Sequence, residues 1–235
     1  MITLLAWDTH KLGVRVGKLT SENLGPACYT KEKLDLYDLV LARIAEQNSS
    51  QVEQFENAGF RFIGLDITLQ SKTLLPSKPT KASDKLIISS LERSKPNFTI
   101  NGFQINDSRL MLDERCKRRL PVNFWDDVIL EHCEEFADVV VYATDEQSNL
   151  AGFISCIKKS HCLEMFLVAV HPDYQSSGLG SALVNKVKEI TQKLKLPLTT
   201  SVMSSNIKAF NFYLKHHFFI TGSEVVMHRW QHGKL

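Results

Sequence analysis

The stretch from Leu163 to Leu194 constrains the chain more than any other. Leu163-Glu164-Met165-Phe166-Leu167-Val168-Ala169-Val170 is a nearly unbroken apolar run rich in large and β-branched residues, the pattern of a strand covered on both faces. His171-Pro172 ends it, because proline cannot donate to a sheet ladder. A polar loop with two glycines follows, Asp173 to Gly180, and then a segment with apolar residues at 183, 184, 187, 190 and 194. That spacing predicts a helix with one buried face.

A glycine-bearing loop that runs into a helix leaves backbone N–H groups without intrahelical partners, at the positive end of the helix dipole. Such a loop is suited to a phosphate, and glycines at 178 and 180 remove Cβ atoms that would hold a pyrophosphate off the backbone. It is not a Walker loop, since no Gly-Lys-Ser/Thr follows. Nor is it the dinucleotide fingerprint, with only two of three glycines present.

The longer string Val170-His171-Pro172-x-Tyr174-Gln175-x-x-Gly178-x-Gly180 resembles the coenzyme A signature Gln/Arg-x-x-Gly-x-Gly/Ala of the GCN5-related N-acetyltransferase (GNAT) superfamily. A second patch, Asn206-x-x-Ala209-x-x-Phe212-Tyr213-x-x-x-x-Phe218, resembles it too, with His216-His217 where glycine usually precedes the phenylalanine. The resemblance implies an α/β (α+β) fold, a central mixed, mostly antiparallel sheet flanked by helices, with acetyl-CoA as cosubstrate. It also implies roles. The loop Gln175, Ser176, Ser177, Gly178, Leu179, Gly180 and Ser181 would hold the pyrophosphate, and Asn206 the pantetheine arm. Val168 and Val170 would offer backbone N–H groups where the signature strand parts from its neighbour. Tyr213 would protonate the leaving thiolate; by spacing alone it reads rather as a core aromatic crowded with Phe210 and Phe212, and it is the resemblance that reverses this. Glu164 is a candidate base, with a strand-end salt bridge as the other reading.

At a finer level, Trp7 with Gly13, the Gly59-Phe60 unit, and Asp107-Ser108-Arg109-Leu110 ahead of Trp125 resemble the TDP-fucosamine acetyltransferase family. This implies a small-molecule amine acceptor, the amino group of a nucleotide-linked deoxysugar, with Arg109 and the basic stretch Arg115 to Arg119 facing its diphosphate. A protein amine, a small metabolite, or a non-catalytic coenzyme A-binding module are the alternatives.

Composition narrows the partners. Lys+Arg 28 against Asp+Glu 26 gives a net charge of +2, so neither nucleic acid nor an anionic membrane is expected. The five cysteines, odd in number and without CxxC spacing, predict a reducing compartment and no structural zinc; no acidic or histidine cluster suggests another metal. Asp8 interrupts the apolar N-terminus, so neither a signal peptide nor a membrane span is expected, and the location is expected to be cytoplasmic. A homodimer is left open.

Along the chain, strands are expected at Met1 to Leu5 and Val14 to Leu19, and a helix from Lys31 to Glu46, where apolar residues recur at helical intervals. A helix Gln51 to Asn57 leads through Gly59 into a strand Phe60 to Leu69. The Ser-, Lys-, Pro- and Thr-rich stretch Gln70 to Asp84 predicts a linker, dividing an N-terminal segment 1–84, a partial copy of the acetyltransferase half, from a catalytic segment 85–235. Beyond it come a strand Leu86 to Leu91, a helix near Pro96 capped by Ser94, a basic loop Asn106 to Pro121, a helix Val122 to Phe136, and a hairpin Asp138 to Thr144 with Leu150 to Lys158. After the signature unit, a strand Leu198 to Met203, a helix Asn206 to His217 and closing strands Phe218 to Ile220 and Val225 to Trp230 complete the reading.

Overall fold

The computed structural model describes residues 2–19, 29–72 and 86–231. The first two segments contribute β1 (Ile2–Leu4), α1 (Ala6–Leu12), β2 (Val16–Leu19), α2 (Lys31–Leu34), β3 (Leu39–Ala45), α3 (Ser49–Asn57) and β4 (Arg61–Ser71). The third contributes β5 (Ile87–Leu91), α4 (Arg109–Leu112), α5 (Glu114–Lys117), α6 (Phe124–Glu131), β6 (Val139–Thr144), β7 (Leu150–Lys158), β8 (Leu163–Val170), α7 (Leu179–Leu194), β9 (Leu198–Met203), α8 (Ile207–Lys215) and β10 (Phe218–Trp230).

These strands form one sheet in the order β1-β2-β3-β10-β4-β9-β8-β7-β6-β5, antiparallel except at β2/β3 and β8/β9. The architecture is the expected mixed, mostly antiparallel sheet with helices on both faces. On one face α1, α4, α5 and α6 bury a core that includes Leu12, Leu110, Phe124, Trp125 and Phe153. On the other, α7 and α8 cover Met165, Leu183, Val187 and Tyr213, while α2 and α3 close over Ile44, Phe55 and Met227.

The boundary expected at Asp84 and Lys85 lies outside the described residues. The sheet nonetheless crosses between the two segments, because β4 is hydrogen-bonded to β9 on one edge and to β10 on the other. The helix-turn-strand units α3–β4 and α8–β10 thus end in neighbouring antiparallel strands.

The helix expected over Lys31 to Glu46 is not formed: only Lys31–Leu34 is helical, and Leu39–Ala45 is a strand. Paired to β2 and β10, this strand buries Leu39 and Leu41 on one face and Val40, Ala42 and Ile44 on the other, whereas a helix would bury one stripe. No helix forms at Pro96 either. That segment is tied to the β6–β7 turn by Thr99 N–H to Ser148 O and Leu150 N–H to Thr99 O, both 2.9 Å, and Phe98 packs on Tyr142. The closing strands are a single strand, β10, with a bulge at Thr221, and the basic loop contains the short helices α4 and α5. Trp7 to Leu12 lies in α1, and the expected helix Val122 to Phe136 is α6 continued by a π-helical turn, His132–Phe136.

Candidate functional site

The site grows from a split in the sheet. β8 and β9 pair only at Leu163↔Leu198, Glu164↔Thr199 and Met165↔Thr200. Just past that point Phe166 is an extra residue against β7, a bulge that bends β8 away from β9. Along β8, Leu167 N–H donates to Ser155 Oγ at 3.2 Å and His171 N–H to Ala151 O at 2.9 Å, both towards β7. Because successive residues alternate, the N–H groups of Val168 and Val170 point the other way, into the split. Gln175 Nε2 donates to Val170 O at 3.3 Å and finishes that edge.

At the closed end Thr200 Oγ1 donates to Met165 O at 3.0 Å, and the Tyr213 hydroxyl is hydrogen-bonded with Thr200. Tyr213 is buried between Phe212 and Phe218. Burial pushes its phenol up to about 12, against a smaller opposing effect of Thr200, so it holds its proton at neutral pH. Asn206 caps α8, its Oδ1 accepting from Ala209 N–H at 3.0 Å.

The loop leads into α7 as its composition requires. Gly178 takes φ +85°, a left-handed conformation that glycine adopts without strain, and Ser176 takes +62°. Ser177 Oγ donates to Tyr174 O at 2.6 Å and accepts from Leu179 N–H at 3.4 Å. Gly180 and Ser181 lie ahead of the first intrahelical bond, Ala182 N–H to Gly178 O, so their N–H groups lack helix partners. The Leu179 side chain is in the core, and the Ser181 hydroxyl is hydrogen-bonded to His216 Nε2 at 2.9 Å. Buried Lys188 donates to His216 O at 2.9 Å. His216 therefore ends α8, and His217, next before Phe218 where the resemblance expects glycine, takes the left-handed φ of +63°.

Two expected site residues are otherwise engaged. Glu164 stands where β8 and β9 are still paired, and Lys159 Nζ holds it at 2.6 Å, which is the strand-end salt bridge. Arg109 sits at the start of α4 and gives Nη2 to Asp8 in α1, while its Nη1 is buried without a hydrogen-bond partner. Arg115 and Arg119 lie over the Trp230 ring at 5.9 and 5.6 Å. The Cys116 thiol is fully buried, and burial raises its pKa, so it is no reactive thiolate.

Asp113, Cys116 and His228 gather closely enough to suggest a cation site. The donor set does not fit one. Asp113 Oδ1 already accepts from Arg115 N–H, and Oδ2 from His228 Nδ1 and the Trp230 indole at 2.7 and 2.9 Å. Burial would raise the Asp113 carboxyl, but these donors outweigh it and hold it well below the usual range. The cluster fastens α5 to β10.

The sequence reading passed over a group of charges on the α1/α4 face. Arg43 in β3 reaches Asp66 in β4 and, at 3.3 Å, Glu224 in β10; Asp66 is paired across the sheet with Met203, at the open lip of β9. The signal was available: Arg43 and Asp66 are charges inside apolar strand runs, the same anomaly that singled out Glu164.

Residues 106–218 match the model of the Acetyltransferase (GNAT) family. Among solved structures, a GCN5-related N-acetyltransferase from Sphaerobacter thermophilus is 14% identical with a TM-score of 0.57, over 82% of this chain and 59% of that one. The chain thus spans less than two thirds of the Sphaerobacter protein. A tandem GNAT protein from the clavulanic acid biosynthesis pathway, without AcCoA, is 11% identical with a TM-score of 0.59, over 92% and 78%. A functionally unknown conserved protein from Staphylococcus epidermidis is 13% identical with a TM-score of 0.54, over 93% and 91%. These likenesses show the fold. No curated protein matches the sequence.

Proposed function

We propose that the GNAT domain of this chain moves an acetyl group from acetyl-CoA to a primary amine, the amino group of a nucleotide-linked 4-amino-4,6-dideoxyhexose, by direct attack with both substrates bound. The single observation that supports transfer is the split itself. It puts two inward-facing backbone donors, Val168 and Val170, on a strand whose closed end holds the protonated Tyr213 hydroxyl. The free N–H groups at the start of α7 fit a pyrophosphate, and the amide of Asn206 lies at the start of the helix that carries Tyr213.

In this reading the neutral amine attacks the thioester carbonyl and forms the C–N bond. The Val168 and Val170 N–H groups stabilise the negative oxygen, the C–S bond breaks, and Tyr213 gives its proton to the sulfur. The amine's surplus proton passes to water, since Glu164 is engaged by Lys159. Holding the two reactants in line itself contributes several kcal/mol, on the order of 7–11 at most.

The test is an acetylation screen over TDP- and UDP-amino sugars, peptide amines and polyamines, read as thiol release with the product identified by mass. Turnover confined to nucleotide sugars is expected. Turnover only with peptides or polyamines would overturn the acceptor, and coenzyme binding without turnover on any amine would overturn the enzyme.

A further inference from the structure

We propose that Lys18, Arg43 and Arg109 form a subsite for a phosphate-class oxyanion carried by the acyl acceptor, set well back from the amine that reacts. The subsite deepens the acetyl-transfer reading and rests on it for the identity of the ligand.

The three cations come from separate elements and converge on one face. Lys18 in β2 is paired with Leu41 in β3, Arg43 is two residues further along the same face of β3, and Arg109 begins α4 above them. Two of the three are oriented by carboxylates: Arg43 by Asp66 and Glu224, Arg109 by Asp8. These contacts fix the guanidinium planes yet do not use them up. Arg109 Nη1 is buried with no partner, and the Lys18 ammonium makes no hydrogen bond or ion pair within the normal limits to a described residue. Burial and then Arg43 hold the Lys18 ammonium below the ordinary lysine range, against smaller opposing effects of Glu224 and Asp8. The Arg43 and Arg109 side chains are 31% and 21% exposed, so a ligand can reach them.

Oriented guanidinium groups beside an ammonium match phosphate oxygens, which accept charge-assisted hydrogen bonds from both. Position selects the ligand further. Four strand spacings separate β2 from β9, roughly 19 Å, and Arg43 reaches from β3 only as far as Asp66 on β4, the strand before β9. An α-amino acid, whose carboxylate is two bonds from its amine, cannot span that distance. A phosphate on the far side of a sugar ring can. Lys18 and Arg43 both lie outside residues 106–218, so the N-terminal part of the chain would supply acceptor recognition to the matched domain.

The experiment is a calorimetric titration of the full chain, saturated with coenzyme A to fill the α7 loop, with inorganic pyrophosphate and, in parallel, malonate. Pyrophosphate should bind. Lys18→Met should weaken it about tenfold or more and Lys18→Arg much less, with coenzyme A affinity and thermal melting unchanged in both. Equal pyrophosphate affinity in wild type and Lys18→Met would overturn the subsite, and so would malonate binding as tightly as pyrophosphate. Should coenzyme A itself fail to bind, the acetyl-transfer reading falls. The same pyrophosphate comparison on Gly178→Asp protein, whose α7 loop is blocked, then decides the subsite alone.

Discussion

The Tyr213 hydroxyl lies at the closed end of the β8/β9 split and keeps its proton because burial lifts its pKa to about 12. Tyr213→Phe removes the proton donor and leaves the ring between Phe212 and Phe218. Turnover should fall about 10²- to 10⁴-fold with coenzyme affinity little changed, as measured by single-turnover rates and calorimetry. The sign of the pH dependence follows from the direction of the shift. A raised phenol pKa keeps the acid form through the whole range below about 11, so wild-type turnover should show no alkaline loss between about pH 7 and 10. A descending limb in that range would assign the proton to another group. Glu164 shows the converse at the same scale: a carboxylate in an apolar strand was a fair candidate base, yet Lys159, five residues away, accounts for it.

At the scale of elements, α7 separates helix stability from ligand binding. Aspartate is a favourable residue at a helix N-terminus and tolerates a left-handed φ better than most, so Gly178→Asp should cost only about 1 kcal/mol or less in folding. The same carboxylate occupies the place of the coenzyme phosphates and repels them, so coenzyme A affinity should drop at least about tenfold. Calorimetry paired with a thermal melt checks both halves, and unchanged affinity in a folded variant would move the phosphate site off this loop. The other end of the split is also an element-level device, because the Phe166 bulge turns β8 just where its pairing with β9 stops.

The whole molecule depends on β4 lying between β9 and β10. Without residues 1–84, β10 would lose both neighbours and expose Val226 and Met227, which are fully buried, and β9 would gain a free edge. Each large apolar side chain returned to water costs about 1.5–3 kcal/mol, against a total stability on the order of 5–15 kcal/mol. A fragment of residues 86–235 should therefore be insoluble or unfolded by circular dichroism when expressed alone, and soluble when co-expressed with residues 1–84. A folded, monomeric 86–235 fragment would show that the shared sheet is dispensable.

The sequence alone determined the units whose signals are local. The run Leu163 to Val170, the loop with Gly178 and Gly180, the amphipathic α7, the β6–β7 hairpin and the β9–α8 unit each carry their own periodicity and turn chemistry, and each is found where those signals place it. Tertiary structure decided whatever depends on a distant partner. Leu34 to Ala45 satisfies a helical spacing as well as a strand, and only pairing with β2 and β10 selects the strand, by burying both faces. The seating of β4 against strands more than a hundred residues away leaves no local trace in its sequence. Charges behave likewise. Whether Arg109 faces a ligand or Asp8, and whether Lys18 stands near two arginines, is set by distances in space between α1, α4, β2 and β3, because the Coulomb interaction depends on separation in three dimensions and not along the chain.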